Sequence, residues 1–147
     1  MIARLVGSEM CIRDSLYQQV NTTYCYDPDV RMLDYCSQKF RNNKNIEIIK
    51  TIDDLVVDKI TVNNVFSENY TFEQFKECMI TLHNCLTPNG LLWFDFFDLD
   101  QQNKTNQSIN KNFYSLNKTL ATLNKIGYNT KLIDSRNVHI KILIQKV

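Results

Sequence analysis

The stretch Tyr24-Cys25-Tyr26-Asp27-Pro28-Asp29-Val30-Arg31-Met32-Leu33 constrains the fold of this chain most. It reads as a buried strand that ends in a carboxylate and turns directly into a helix. An acid with a short side chain, at the carboxyl end of a parallel strand, can accept two hydrogen bonds from a ribose diol where the chain turns away and leaves a crevice. Pro28 suits the opening of a helix, because its missing N–H would lack an intrahelical partner there anyway. Asp27 can cap the helix and Asp29 sits favourably in its first turn. Asp-Pro also marks ordinary turns, so the order of the elements that follow decides its meaning.

That order alternates. Tyr17 to Tyr26 reads as a strand, and Asp29 to Phe40 as a helix with Met32, Leu33, Cys36 and Phe40 on one face. Ile46 to Thr51 is a short strand, followed at Ile52-Asp53-Asp54-Leu55 by a turn or a helix start. Lys59 to Val65 is a further strand. Thr71 to Cys85 is a helix, with Phe72, Phe75, Cys78, Met79, Leu82 and Leu86 at helical spacing and a capping box from Thr71 to Gln74. Leu86-Thr87-Pro88-Asn89-Gly90 stops it. Leu91 to Phe97 is apolar and continuous, as in a strand covered on both faces of a parallel sheet, which makes Trp93 a core residue. Phe113 to Ile126 is a helix stopped by Gly127. Tyr128 to Ser135 and Val138 to Val147 are strands joined so closely that they must be antiparallel. The prediction is an α/β, Rossmann-like, doubly wound sheet, mostly parallel, with an antiparallel C-terminal hairpin.

Composition narrows the class. The chain has 147 residues, 44% hydrophobic and 22% charged, which fits one globular domain with a core. Its 17 Lys and Arg against 16 Asp and Glu give a net charge of +1, so nucleic acid is not indicated as a partner and no global field draws the chain to anionic lipid. The five cysteines form no CxxC pair and read as reduced core residues of a cytoplasmic protein. No apolar run reaches the roughly 20 residues of a membrane-spanning helix. Neither His83 nor His139 stands in a motif, and both read as surface or packing residues. Nothing in the sequence points to a metal site.

Val6-Gly7-Ser8-Glu9-Met10-Cys11-Ile12-Arg13-Asp14-Ser15 resembles the translation of sequencing-adapter DNA. Residues 1–15 are therefore expected to be artefactual and residues 16–147 to form the partial α/β domain, with its first strand missing.

From about Leu16 to Val147 the chain resembles the class I S-adenosylmethionine-dependent methyltransferases. The resemblance rests on Asp27-Pro28 with Met32-Leu33, then Asp53 or Asp54, then Leu86-Thr87-Pro88-Asn89-Gly90 with Leu91 to Phe97, then Ile126-Gly127-Tyr128 and the terminal hairpin. It implies S-adenosylmethionine as cofactor and methyl transfer to a small-molecule acceptor. Asp27 would bind the ribose hydroxyls, Pro28 and Met32 would lie near the adenosine, and Asp53 or Asp54 would reach the adenine amino group, with a helix N-cap as the other reading of these two acids. Asn63 and Asn64 occupy the substrate-facing position after the fourth strand, and Asp95 or Asp98 can face the crevice. The glycine-rich loop of the family is absent, because only Gly7 precedes Gly90. That absence implies a fragment. The alternatives are a non-catalytic binding scaffold, or a nicotinamide-dependent oxidoreductase, against which the C-terminal hairpin argues.

Overall fold

The computed structural model describes residues 2–6, 22–104 and 112–147, with the main chain alone over 2–6 and 102–104. The strands are β1 (Ile2–Val6), β2 (Thr23–Tyr26), β3 (Ile46–Ile48), β4 (Val57–Asn63), β5 (Leu86–Asp98), β6 (Phe113–Tyr114), β7 (Tyr128–Asp134) and β8 (His139–Lys146). The helices are α1 (Val30–Phe40), α2 (Phe66–Asn69), α3 (Phe72–Cys85) and α4 (Leu116–Ile126), and a 3-10 helix spans Leu99–Lys104. The strands form one sheet in the order β3-β2-β1-β4-β5-β8-β7, with β6 pairing beside β5. Pairing is parallel from β3 through β5, and β8 is antiparallel to both β5 and β7.

This order corrects one expectation. The first strand is present: Ile2–Val6 lies at the middle of the sheet, between β2 and β4. Its run Ile2-Ala3-Arg4-Leu5-Val6 is short, largely apolar and β-branched at both ends, which suits a parallel central strand. Residues 7–21, which include most of the adapter-like run, lie outside the described residues. The predicted strand from Tyr17 is described only as Thr23–Tyr26.

The sheet has a different cover on each face. Ile60, Val62, Leu92, Phe94, Phe96, Ile140, Ile142 and Ile144 point to one face and pack with Phe75, Met79 and Leu82 of α3 and Leu123 of α4 in the main core. Cys25, Cys36 and Phe40 form a second, smaller cluster where α1 lies against the other face. Parallel strands with helices on both faces are what right-handed crossovers produce. Trp93 pairs in register with Thr61, on the face opposite the main core, and is only half-buried, so apolar sequence alone misassigned it to the interior.

Local chemistry explains the boundaries. The Thr71–Gln74 capping box opens α3 as expected, each side chain bonding the other's backbone N–H. Strand β5 begins at Leu86, directly after α3, and Thr87 to Gly90 loop out between the Val57–Leu86 and Lys59–Leu91 pairs. The last helix starts at Leu116 instead of Phe113, because Ser115 caps it and Phe113–Tyr114 pair with Phe97 and Asp98 of β5. Gly127 closes α4 in the left-handed region at φ 111°. No described helix is long and apolar enough to cross a membrane.

Candidate functional site

The site lies past the carboxyl ends of β2 and β4. Asp27 follows β2 and is 6% exposed; its Oδ1 accepts the N–H of Asp29 at 2.8 Å, and no protein donor reaches Oδ2 among the described residues. Burial pushes the Asp27 carboxyl above its ordinary value, opposed by that N–H. The cap of α1 is Asp29, not Asp27: its Oδ1 takes the N–H of Arg31 at 3.0 Å, and the Arg31 guanidinium closes on the same carboxylate at 2.8 Å. Pro28 stands between the two acids, two residues ahead of the helix. The loop thus separates the roles, with one acid serving the helix and the other left over the crevice.

Two adjoining hollows make that crevice. The larger, about 810 Å³, is lined by Asp27, Pro28, Met32, Val65, Glu68 and Tyr70 among others. The smaller, about 320 Å³, has Tyr26, Ile52, Asp53, Val65, Tyr70 and Cys78 in its walls. Pro28, Val65, Tyr70 and Gln74 belong to both, so the two form one continuous cleft with a buried carboxylate at one end and Asp53 at the other. Burial, chiefly, raises the phenols of Tyr26 and Tyr70 and pushes the Cys78 thiol up to about 12. These side chains are therefore neutral at physiological pH, and Cys78 is no nucleophile there.

The expected site residues divide. Asp27, Pro28, Met32 and Asp53 line the cleft, whereas Asp54 and Asn63 line neither hollow. Asp53 and Asp54 sit in a turn closed by the N–H of Leu55 on the carbonyl of Ile52, and no helix follows, so the N-cap reading of these acids fails. Asp53 is braced by the Thr51 hydroxyl, which donates to its Oδ2 at 2.9 Å. Asn63 ends β4, and the next residue, Asn64, adopts the left-handed region at φ 55° and donates its N–H to Asp95 Oδ1 at 2.8 Å.

The sequence set Asn63 to Glu68 at the substrate-facing position but gave no helix there and did not reach Asn69 and Tyr70. Val65, Glu68, Asn69 and Tyr70 build one wall of the cleft. Phe66, fully buried, anchors this wall against Phe75 and Phe94, while the Ser67 hydroxyl accepts the N–H of Phe97 at 2.7 Å and the Tyr114 hydroxyl donates to the Phe66 and Tyr70 carbonyls. The available signal was the aromatic spacing Phe66, Tyr70, Phe72, Phe75. Asp98 turns instead to its own loop, accepting the Asp100 N–H and the Gln101 amide. His83 is a packing residue, with Nε2 3.2 Å from the Gly127 carbonyl and its ring against Tyr128.

No protein-family model matches the sequence, and no curated protein matches it. Solved structures do match its fold. An S-adenosylmethionine-dependent methyltransferase from Clostridium acetobutylicum superposes with a TM-score of 0.78 at 12% identity, over 99% of this chain and 83% of that one. A methyltransferase of the same class from Methanosarcina mazei gives 0.77 at 9% identity, over 99% and 92%. Magnesium protoporphyrin IX methyltransferase from Synechocystis, solved with bound S-adenosylhomocysteine, gives 0.74 at 14% identity, over 99% and 74%. The arrangement that carries Asp27 over its cleft is therefore the class I S-adenosylmethionine-dependent methyltransferase fold.

Proposed function

We propose that this chain binds S-adenosylmethionine in the Asp27–Asp53 cleft and serves methyl transfer to a small-molecule acceptor. The observation that carries the reading is the position of Asp27, a buried carboxylate past the carboxyl end of a parallel strand, with one oxygen committed to the backbone and the other to no protein donor among the described residues. A carboxylate so placed suits a vicinal diol. Pro28 and Met32 offer apolar surface to an adenine face, and Asp53, at the far end, suits an exocyclic amine. Asp54 and Asn63 line neither hollow, and the reading gives them no part in holding the nucleoside.

The cofactor supplies an electrophilic methyl group on a sulfonium. What the chain must add is orientation and exclusion of water, since a direct displacement needs the attacking atom held in line with little else. The aromatic wall around Phe66 and Tyr114 provides the rigid support for that. The Cys85 thiol, buried and donating to the Ile52 carbonyl at 3.2 Å, supports a reducing, cytoplasmic setting.

The deciding experiment is a calorimetric titration of the full chain with S-adenosylhomocysteine, run beside the D27N variant and beside oxidised nicotinamide dinucleotide as competitor. The reading expects saturable binding, weakened in D27N by about 10-fold or more, and no competition by the dinucleotide. Absence of binding to the native chain refutes it.

A further inference from the structure

Gln74 belongs both to a helix cap and to the cleft. It is the third residue of α3, where its Oε1 accepts the Thr71 N–H at 2.9 Å and its own backbone N–H goes to the Thr71 hydroxyl at 3.3 Å. With Pro28, Val65 and Tyr70 it also lines both hollows, which puts it at the middle of the cleft. Of the two ends of a side-chain amide only the oxygen can accept an N–H, so the capping box fixes which end is which. The oxygen is turned to the cap, and Nε2 is the end left over. Its two N–H groups meet no acceptor among the described residues.

Several other side-chain donors of the cleft are already engaged. Asn69 Nδ2 donates to the Val65 carbonyl at 3.2 Å, the Thr81 hydroxyl to the Glu77 carbonyl at 3.2 Å, and the Arg31 guanidinium to Asp29. The polar groups along the cleft therefore alternate. Asp27 accepts at one end, Asp53 accepts at the other, and Gln74 donates between them.

We propose that Gln74 is a specificity-determining residue whose amide, turned by the capping box, donates to an unprotonated ring nitrogen of the bound base. This rests on the reading of the cleft as a nucleoside site. A nucleoside held at its diol by Asp27 and at its exocyclic amine by Asp53 lays its base ring across the middle of the cleft. The unprotonated nitrogens of an adenine ring accept a hydrogen bond and cannot give one. A base edge that accepted nothing would strip Nε2 of water without replacing it, so the site demands an acceptor there.

A residue that only caps the helix behaves differently under substitution. Glutamate at the third helical position closes a capping box as glutamine does, and its charge suits the helix N-terminus. Q74E thus keeps the box and removes the donor, whereas Q74A loses both. The test is calorimetric titration of the full native chain and the two variants with S-adenosylhomocysteine, beside urea denaturation of each. The urea midpoint of Q74E should equal or exceed the native one while its affinity falls about 10-fold or more, and Q74A should lose stability and affinity together. The same titrations with the 1-deaza, 3-deaza and 7-deaza forms of the ligand identify the accepting nitrogen. One of these should bind the native chain about 10-fold more weakly than the parent compound, and to that one Q74E should bind within about twofold of native. Native-like affinity of Q74E for S-adenosylhomocysteine overturns the assignment alone, and so does a Q74E loss that persists against all the deaza forms. Failure of the native chain to bind S-adenosylhomocysteine overturns the cleft reading and this assignment with it.

Discussion

Asp27 answers to two opposing demands. Its burial and the cleft beside it favour an acid available to a diol, yet burial also raises its carboxyl above the ordinary value. A group whose folded-state value is raised contributes stability that is present below the unfolded value and is lost as pH climbs through the folded one. D27N is therefore expected to hold or slightly raise the melting temperature at neutral pH while it abolishes most binding, a split that thermal denaturation beside calorimetry will show. Affinity for S-adenosylhomocysteine should likewise start to fall, on acidification, at a higher pH than an unperturbed aspartate would give. The two neighbouring acids separate as well. D53A should weaken that binding about fivefold, the worth of one modest hydrogen bond, and D54A should leave it unchanged, because only Asp53 lines the cleft. Sequence brought Asp53 and Asp54 forward as equals. Adjacent residues in a turn point different ways, and only the folded turn from Ile52 to Leu55 sets which of the two lines the cleft.

At the scale of elements, caps and stops were the most legible features because they are governed by bonds within a few residues. The Thr71–Gln74 box and the Gly127 stop were both read correctly. T71A should cost about 1 kcal/mol in urea denaturation, since it strips a backbone N–H of its acceptor. G127A should cost about 1–2 kcal/mol for the left-handed backbone, with an added clash, because a Cβ there would stand 2.9 Å from His83 Nε2. Where an element depends on distant partners, sequence failed. Phe113 and Tyr114 carry no signal against helix, yet pairing with Phe97 and Asp98 draws them into the sheet. His139 reads as an unremarkable strand residue until β8 is laid antiparallel to β5 and sets it against Asp95.

For the whole molecule, the position of β1 is the finding of greatest consequence. With Ile2–Val6 in the middle of the sheet, the ladders of β2 and β4 both depend on it. A3P places a proline in a strand bonded on both sides and should lower stability by at least about 2 kcal/mol in urea denaturation, through the lost ladder bond and the polar group left unpaired; an unchanged midpoint would show that the strand does not stand there. Alternation of period-2 and period-3.6 segments, the acid after β2, and the short connection of the last two strands were enough to determine the fold class, its mostly parallel sheet and the terminal hairpin, since each is a matter of local pattern and chain reach. The strand order, the wall built by α2, which of Asp53 and Asp54 lines the cleft and the meeting of Asp95 with His139 were decided only by tertiary structure. These depend on contacts between residues as far apart as 57 positions, as from Ile2 to Lys59, and no local pattern encodes which distant side chain will arrive.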